Sequence, residues 1–380
     1  MVSRTTLSLS AHLPLLRMGA PPSVCSTDQM RRLGVQRGGN PLNFRYMLSF
    51  LRILKMPGLF AIMKDWQALL RMHFIFAAYE SGLLKELAVP CERQTLIEKL
   101  HVKRPDLLDA LLDVGLATKE LGVKNQQFFI KGKRSKAIMT PRGDMLAAMI
   151  QANITYYHDA YRHAADRLKG GELGNDLRGM GDLVARFSKI AEPVLKDFLS
   201  ALVAGRNPMR ILDVGCGSGV FLHSIHSANG SAMGVGLDID EAAVRQAKGN
   251  ILNWGLQDSF SVLQGDIRFP PKGTTGPFDL IILFNILYYF DDEDRTELLH
   301  KLRAMLSPQG VLAIAMNCHS KGTDMGAANL NMVNCSLKGL KRLPERDEIM
   351  ALLTRCAFRQ IDTHRFIPGS TFYGFVASNP

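Results

Sequence analysis

Gly215, Gly217 and Gly219 stand at alternate positions just behind a carboxylate, Asp213, in the run Ile-Leu-Asp-Val-Gly-Cys-Gly-Ser-Gly that opens at Ile211. A turn built of glycines carries almost no side chains, so a ligand can approach its backbone closely. Nineteen residues beyond Gly219, the stretch 233–238 ends on a second carboxylate, Asp238. That is the spacing at which an acid receives both hydroxyls of a nucleoside's ribose. The GxGxG spacing departs from the GxGxxG of dinucleotide sites, and Asp213 would repel a pyrophosphate while suiting a cationic ligand. Cys216 sits inside the turn, where a small side chain suffices, and is read as packing and not as a nucleophile.

The elements that must hold these residues are legible as alternating strands and helices. Residues 209–214 form an apolar run of the kind a doubly covered parallel strand requires, and a helical pattern opens at Val220. Further strands are expected at 233–238, 260–264, 278–285 and 306–315. A closing antiparallel hairpin is expected from 361–366 and 372–377, divided by Pro368-Gly369.

At this point the chain resembles the class I S-adenosylmethionine-dependent methyltransferases, whose first motif is D/E-x-G-x-G-x-G. S-adenosylmethionine carries an ammonium and a sulfonium and no phosphate, in keeping with an acid at Asp213. The resemblance spans residues 205–380 and implies a Rossmann-like, seven-stranded, doubly wound α/β sheet. It implies that Asp213, Gly215, Gly217 and Gly219 cradle the cofactor. It places Asp238 on the ribose, Ile239 over the adenine, and Asp266, with Ile267 beside it, at the adenine amino group. Asn285, at the tip of the strand 278–285, is expected to hydrogen-bond the ligand.

At 380 residues the chain has room for two domains, and no stretch approaches the ~20 uninterrupted apolar residues of a membrane span. Six scattered cysteines, with no CxxC pair and no Cys/His cluster at metal spacing, point to a reduced compartment and no metal. The net charge of +11 is uneven. Residues 1–64 hold nine Lys/Arg and a single acid, Asp28, whereas basic and acidic residues cancel from 151 onward. A neutral catalytic half argues against a nucleic-acid substrate held by phosphate contacts. Residues 1–41 read as a basic tail, and the lack of acids before Asp28 leaves a mitochondrial transit peptide as the alternative to a cytoplasmic protein.

Residues 42–143 show helical spacing from Leu42 and again over 66–87, shorter helices at 95–100 and 104–116, and then 126–130 with a basic turn at 131–136. Helix, short helix, second helix and β-wing outline a mainly helical winged-helix domain. Asp106, Asp109 and Asp113 fall on one face of the would-be recognition helix, where they would repel phosphates. Preceding a class I domain, such a module resembles that of the hydroxyindole and plant-type O-methyltransferases, and the resemblance implies homodimerisation. Residues 144–204 are read as linker helices, with one helix over 183–203. The resemblance makes that linker a wall of the pocket for a small-molecule acceptor.

The same family carries a histidine just after its fourth strand, and here Tyr288 stands in its place. A tyrosine of ordinary pKa near 10 is a poor base at neutral pH, though it can orient an acceptor. His158 in the linker and His319 after the fifth strand are the other catalytic candidates. The expected activity is methyl transfer from S-adenosylmethionine to a small molecule, with oxygen as the acceptor atom and nitrogen or carbon as alternatives. An NAD-dependent oxidoreductase and a ligand-sensing winged-helix regulator are the rivals.

Overall fold

The computed structural model describes residues 41–175, 180–206 and 209–380. Residues 1–40 of the basic tail, with Cys25 and the transit-peptide reading, lie outside them. The chain divides into two units, one ending at Trp66 and one running from Gln67 to Pro380.

The described part of the first unit consists of the helix Pro41–Leu54 and the start of the helix Leu59–Glu80. The second of these was expected over 66–87 and instead begins seven residues earlier and stops at Glu80. Gly82, at φ +76°, is left-handed and ends the helical path, so that Leu83–Glu86 forms a separate turn. Among the described residues, no single helix is long and apolar enough to cross a membrane.

In the second unit, Phe74, Ile75 and Ala78 bury against Leu83, Leu96, Leu108, Leu112 and Leu121. The helices Arg93–Lys99 and Pro105–Ala117 surround that core, the latter with proline in its first turn, where the missing N–H costs nothing. Strands β1 (Cys91–Glu92), β2 (Leu121–Lys124) and β3 (Gln127–Ile130) pair antiparallel in the order β1-β3-β2. The β2–β3 hairpin turns on Asn125 and Gln126, at φ +50° and +61°.

Two expectations fail here. The basic stretch 131–136 is not the turn of a wing, because Lys133–Ile138 is a helix that buries Ser135 and Ile138. The acidic face is also less repulsive than its spacing implies. Arg93 Nη2 meets Asp109 at 2.8 Å and Arg104 Nη2 meets Asp106 at 2.6 Å, so two of the three carboxylates are neutralised within the chain.

The linker begins with the helix Asp144–Ala152, widens into a π-helical turn over Asn153–Tyr157 and continues through His158–Arg162. The single helix expected over 183–203 is two, Gly181–Ser188 and Glu192–Val203. Pro193 opens the second, where it can start a helix but not continue one.

The remaining strands form one seven-stranded sheet. These are β4 (Arg210–Val214), β5 (Met233–Asp238), β6 (Phe260–Gln264), β7 (Phe278–Phe284), β8 (Leu306–Asn317), β9 (Arg359–Arg365) and β10 (Phe372–Ser378). Their order is β6-β5-β4-β7-β8-β10-β9. Neighbours from β6 to β8 run parallel, and β10 runs antiparallel to both β8 and β9. Both faces are buried at its centre, Leu212 and Val214 on one side and Ile211 on the other, which is why β4, β7 and β8 read as apolar runs, while the edge strand β9 is polar and exposed. The chain order reverses between β4 and β7. In such sheets the crevice outside the carboxyl ends of the strands at this reversal is the usual ligand position.

Candidate functional site

The crevice is built from the ends of four parallel strands. β4 delivers Asp213, β5 ends on Asp238, the loop after β6 carries Asp266, and β7 leads into Asn285. The glycine turn joins β4 to the helix Val220–Ala228, for which Gly219 is the left-handed N-cap. Two glycines in it are required for different reasons. Gly215 has φ +73°, a conformation that residues with a side chain rarely adopt, and a Cβ there would lie 2.3 Å from Ile286 Cδ1, which would have to move. Gly217 has φ +53°, and a Cβ there would meet nothing within 4 Å, so its face of the turn opens onto free space.

Asp213 is 1% exposed, and its Oδ2 has no hydrogen-bond partner among the described residues. Burial, with Asp238 nearby, pushes its carboxyl up to about 7. Buried polar atoms are nearly always paired, so this one calls for an explanation. Asp238 is only partly buried. Its Oδ2 accepts from the Gly217 N–H at 2.9 Å and its Oδ1 from the Asp240 N–H at 2.9 Å. A carboxylate has about four acceptor positions, so these two bonds fix its orientation and leave capacity for a ligand. Ile239 beside it is 65% exposed, an apolar side chain facing solvent at the rim.

Asp266 is held by Arg268, whose Nη2 meets Oδ2 at 2.6 Å, so its carboxylate is already engaged within the chain. The pairing holds its pKa below the ordinary carboxylate range against the opposing effect of burial. Ile267 is 5% exposed and belongs to the sheet core with Leu237 and Leu283, so its side chain supports the crevice from behind. Asn285 takes the left-handed conformation at φ +55°, uncommon for a residue with a side chain, and its N–H donates to the Ala315 carbonyl at 2.8 Å. Cys216 is buried and its thiol is pushed up by burial, as a packing residue's should be.

Tyr288 lies in the 3-10 turn Leu287–Tyr289 that follows β7. Arg295 Nε donates to the Leu287 carbonyl at 2.9 Å and the Lys341 N–H donates to the Tyr288 carbonyl at 2.8 Å, which fixes the turn. Tyr288 packs against the apolar cluster that contains Tyr156 and Tyr157 of the π-helical turn and Val333 and Leu337 at the end of the helix Met325–Ser336. The Tyr156 and Tyr157 rings are 4.8 Å apart, and those of Tyr288 and Tyr289 5.0 Å. Burial raises all four phenols, Tyr157 to about 12.

The two histidines stand elsewhere. His158 is exposed, its side chain turned to solvent although Tyr157 next to it is buried. His319 follows β8 and faces Glu345, with Nδ1 3.9 Å from Oε1. The sequence reading missed Asn334, which is 1% exposed with an unpartnered Nδ2. Its only trace in the sequence is a polar residue on the apolar stripe Ala327, Leu330, Asn334.

Comparisons with known proteins agree with this arrangement. Residues 211–310 match the family described as a methyltransferase domain. A malonyl-[acyl-carrier protein] O-methyltransferase of Geobacter sulfurreducens is 27% identical over 190 residues, 49% of this chain and 68% of that protein. Among solved structures, the mitomycin 7-O-methyltransferase superimposes with a TM-score of 0.68 at 16% identity, covering 90% of this chain and 100% of that one. Human N-acetylserotonin methyltransferase in complex with S-adenosylmethionine gives 0.62 at 17%, covering 86% and 99%. An O-methyltransferase family protein from Burkholderia thailandensis gives 0.67 at 13%, covering 85% and 98%. At these identities the superpositions establish the fold. The orphaned Oδ2 of Asp213 is what a ligand ammonium would satisfy, and the free space at Gly217 is where a nucleoside could lie. The matched segment shows a methyltransferase domain at residues 211–310, set in a seven-stranded sheet of the class I fold, and these features of the crevice fit S-adenosylmethionine.

Proposed function

We propose that this chain transfers the methyl group of S-adenosylmethionine to an oxygen of a small molecule. The observation that carries the reading is the buried Asp213, with its unpartnered Oδ2, at the mouth of an open glycine turn and on the strand that pairs directly with the one ending at Asp238. Asp213 would hold the ligand's ammonium, the turn would admit the nucleoside, Asp238 would take the ribose hydroxyls and Ile239 would cover the base. Asp266 would reach the adenine amino group with Arg268 steadying it, and Asn285 would offer its amide at the strand tip. S-adenosylmethionine supplies an electrophilic methyl on a sulfonium. The residues' task is to hold the acceptor ~3 Å from it and in line.

Oxygen is favoured as acceptor because the relatives' names specify O-methylation. The packing of Tyr288 with Tyr156 and Tyr157 supports an acceptor wall formed jointly by linker and sheet loop. Tyr288 orients the acceptor through one hydrogen bond. Tyr288→Phe should then cost roughly tenfold to a hundredfold in turnover, about 1–3 kcal/mol of transition-state binding. A loss near 10⁴-fold with a vanished titrating limb would make Tyr288 the base instead.

The helices of the first unit and the residues just beyond support a homodimer of a winged-helix type. Tyr46, Leu51, Ile53, Ile62 and Trp66 are each at least 45% exposed, a density of apolar surface that a second copy would cover. Light scattering that returned a monomer at micromolar concentration would remove this part of the reading.

The enzymatic reading is tested by thermal-shift titration. Stabilisation by S-adenosylhomocysteine with none by NAD is expected. Stabilisation by NAD alone, or specific binding of DNA fragments, would favour the oxidoreductase or regulator rivals.

A further inference from the structure

A buried side-chain amide without a partner is costly, and native proteins keep such a group where a ligand completes it. Asn334 is 1% exposed and its Nδ2 donates to nothing among the described residues. It lies on the helix Met325–Ser336, four residues after Leu330 and three before Leu337, so the three share one face. Leu330 and Leu337 on that face pack in the same cluster as Tyr156, Tyr157 and Tyr288. The free amide is thus carried on the face that meets the tyrosine wall.

The groups facing one another there are donors. The Tyr288 and Tyr289 rings lie 5.0 Å apart, those of Tyr156 and Tyr157 4.8 Å apart, and Tyr288 packs on the cluster that holds the second pair. A phenol is protonated at neutral pH, and since one O–H of the Tyr156–Tyr157 pair is spent between them, Tyr288 and the other member of the pair have an O–H to offer. Tyr161 is exposed and its hydroxyl already donates to Asn329 Oδ1 at 2.8 Å, which fastens the linker to the same helix. His158 points to solvent and His319 faces Glu345. A wall of O–H and N–H donors complements an oxygen that brings its own negative charge.

We propose that the acceptor enters as an oxygen anion, a carboxylate or an acidic enol or phenol, held by the Tyr288 hydroxyl and the Asn334 amide, and needs no base from the chain. This rests on the methyl-transfer reading above. A lone pair of the anionic oxygen attacks the methyl carbon as the carbon–sulfur bond breaks. The bonding pair goes to sulfur, which passes from sulfonium to neutral thioether, and no proton is released. A neutral hydroxyl acceptor would instead release one proton per turnover.

The test uses the full chain saturated with S-adenosylhomocysteine, titrated calorimetrically with benzoate, salicylate, a malonate half-ester and 4-nitrophenol, and with phenol and benzyl alcohol as neutral controls. Turnover with S-adenosylmethionine is followed in parallel with a pH indicator. Acids binding at least tenfold tighter than their neutral counterparts, with no proton released on methylation, is the expected result. Equal or tighter binding of the neutral alcohols, one proton per turnover, or no acid bound at millimolar concentration would overturn it. Failure of S-adenosylhomocysteine itself to bind would instead sink the methyl-transfer reading.

Asn334→Leu separates a ligand role from a structural one. Replacing an unpartnered amide by an apolar group of similar shape should leave Tm unchanged or raised, while acid binding weakens at least tenfold. A fall in Tm with acid binding intact would show that the amide serves the fold.

Discussion

Glu120 and Asp213 are both carboxylates buried to within 2% exposure, and the chain treats them in opposite ways. Glu120 closes a structural node. Its Oε2 accepts from the Ser135 hydroxyl at 2.8 Å and the Ser135 N–H at 3.2 Å, capping the helix Lys133–Ile138, while Arg71 and Arg134 each approach its Oε1 at 3.6 Å. Even the adjoining backbone is shaped around it, since a Cβ on Gly132 would fall 1.9 Å from Oε2. Asp213 has an unpartnered Oδ2 and an open glycine turn beside it. A buried charge that the fold completes is architecture, and one that it leaves incomplete is held for something outside the chain.

Truncation at the completed site should give the largest effect. Glu120→Ala strands two arginines and two donors of Ser135, and removing one side of a buried network costs ~3–5 kcal/mol. Arg71 and Arg134 are 25% and 61% exposed, so water recovers part of that. About 2–4 kcal/mol of lost stability is expected in urea unfolding. A change below about 1 kcal/mol would mean that the node is not closed as described.

At Asp213 the sign should reverse. Asp213→Asn removes a buried charge that nothing pairs, so stability at pH 8 should hold or rise. Binding of S-adenosylhomocysteine should weaken by about 1–3 kcal/mol as a charge-assisted contact is lost. The pH dependence follows from the same cause. The folded-state pKa of about 7 lies above an unfolded value near 4, so between these pH values the folded chain binds more protons than the unfolded one. Asp213 therefore makes stability fall as pH rises from about 4 to about 7, and level off above. Binding shows the converse, weakening up to tenfold per pH unit below about 7, because the carboxyl must lose its proton to meet an ammonium. Asp213→Asn should abolish both slopes, and unaltered slopes in that variant would assign them to another group.

The contrast also explains what a sequence can reveal. The placement of Asp213, Gly215, Gly217 and Asp238 around one turn was legible because the geometry of a strand-turn-helix ties each residue to a fixed offset along one segment. The central strands β4, β7 and β8 were legible for a related reason, being buried on both faces and so largely apolar, whereas the edge strand β9 is polar and exposed. Glu120 left no signal, because its partners come from 15 and 49 residues away and only folding brings them together. Asn334 was hidden likewise, since its lack of a partner is a property of packing. The basic run 131–136 misled because charge was read as a solvated turn, while Ser135 and Ile138 supplied enough buried surface and a capping partner to make a helix.

Asp238 stands between the two extremes and gives the smallest and sharpest test. Two backbone N–H groups, from Gly217 and Asp240, hold its carboxylate, yet its partial exposure leaves acceptor positions toward the crevice. Its removal should touch both ledgers lightly. The bond to Gly217 is a tie across the glycine turn, so Asp238→Ala should loosen that turn at a cost of about 0.5–1.5 kcal/mol in stability. Two ribose hydroxyls would lose their acceptor, and calorimetry should show S-adenosylhomocysteine binding weakened by about 1–2 kcal/mol. Asp238→Asn sharpens the division, because the amide oxygen can keep one backbone bond while the charge is gone. Stability should return most of the way to wild type and affinity should not. If the two quantities recover together, the carboxylate acts on the ligand only by shaping the turn, and Asp238 belongs with Glu120 as a structural acid.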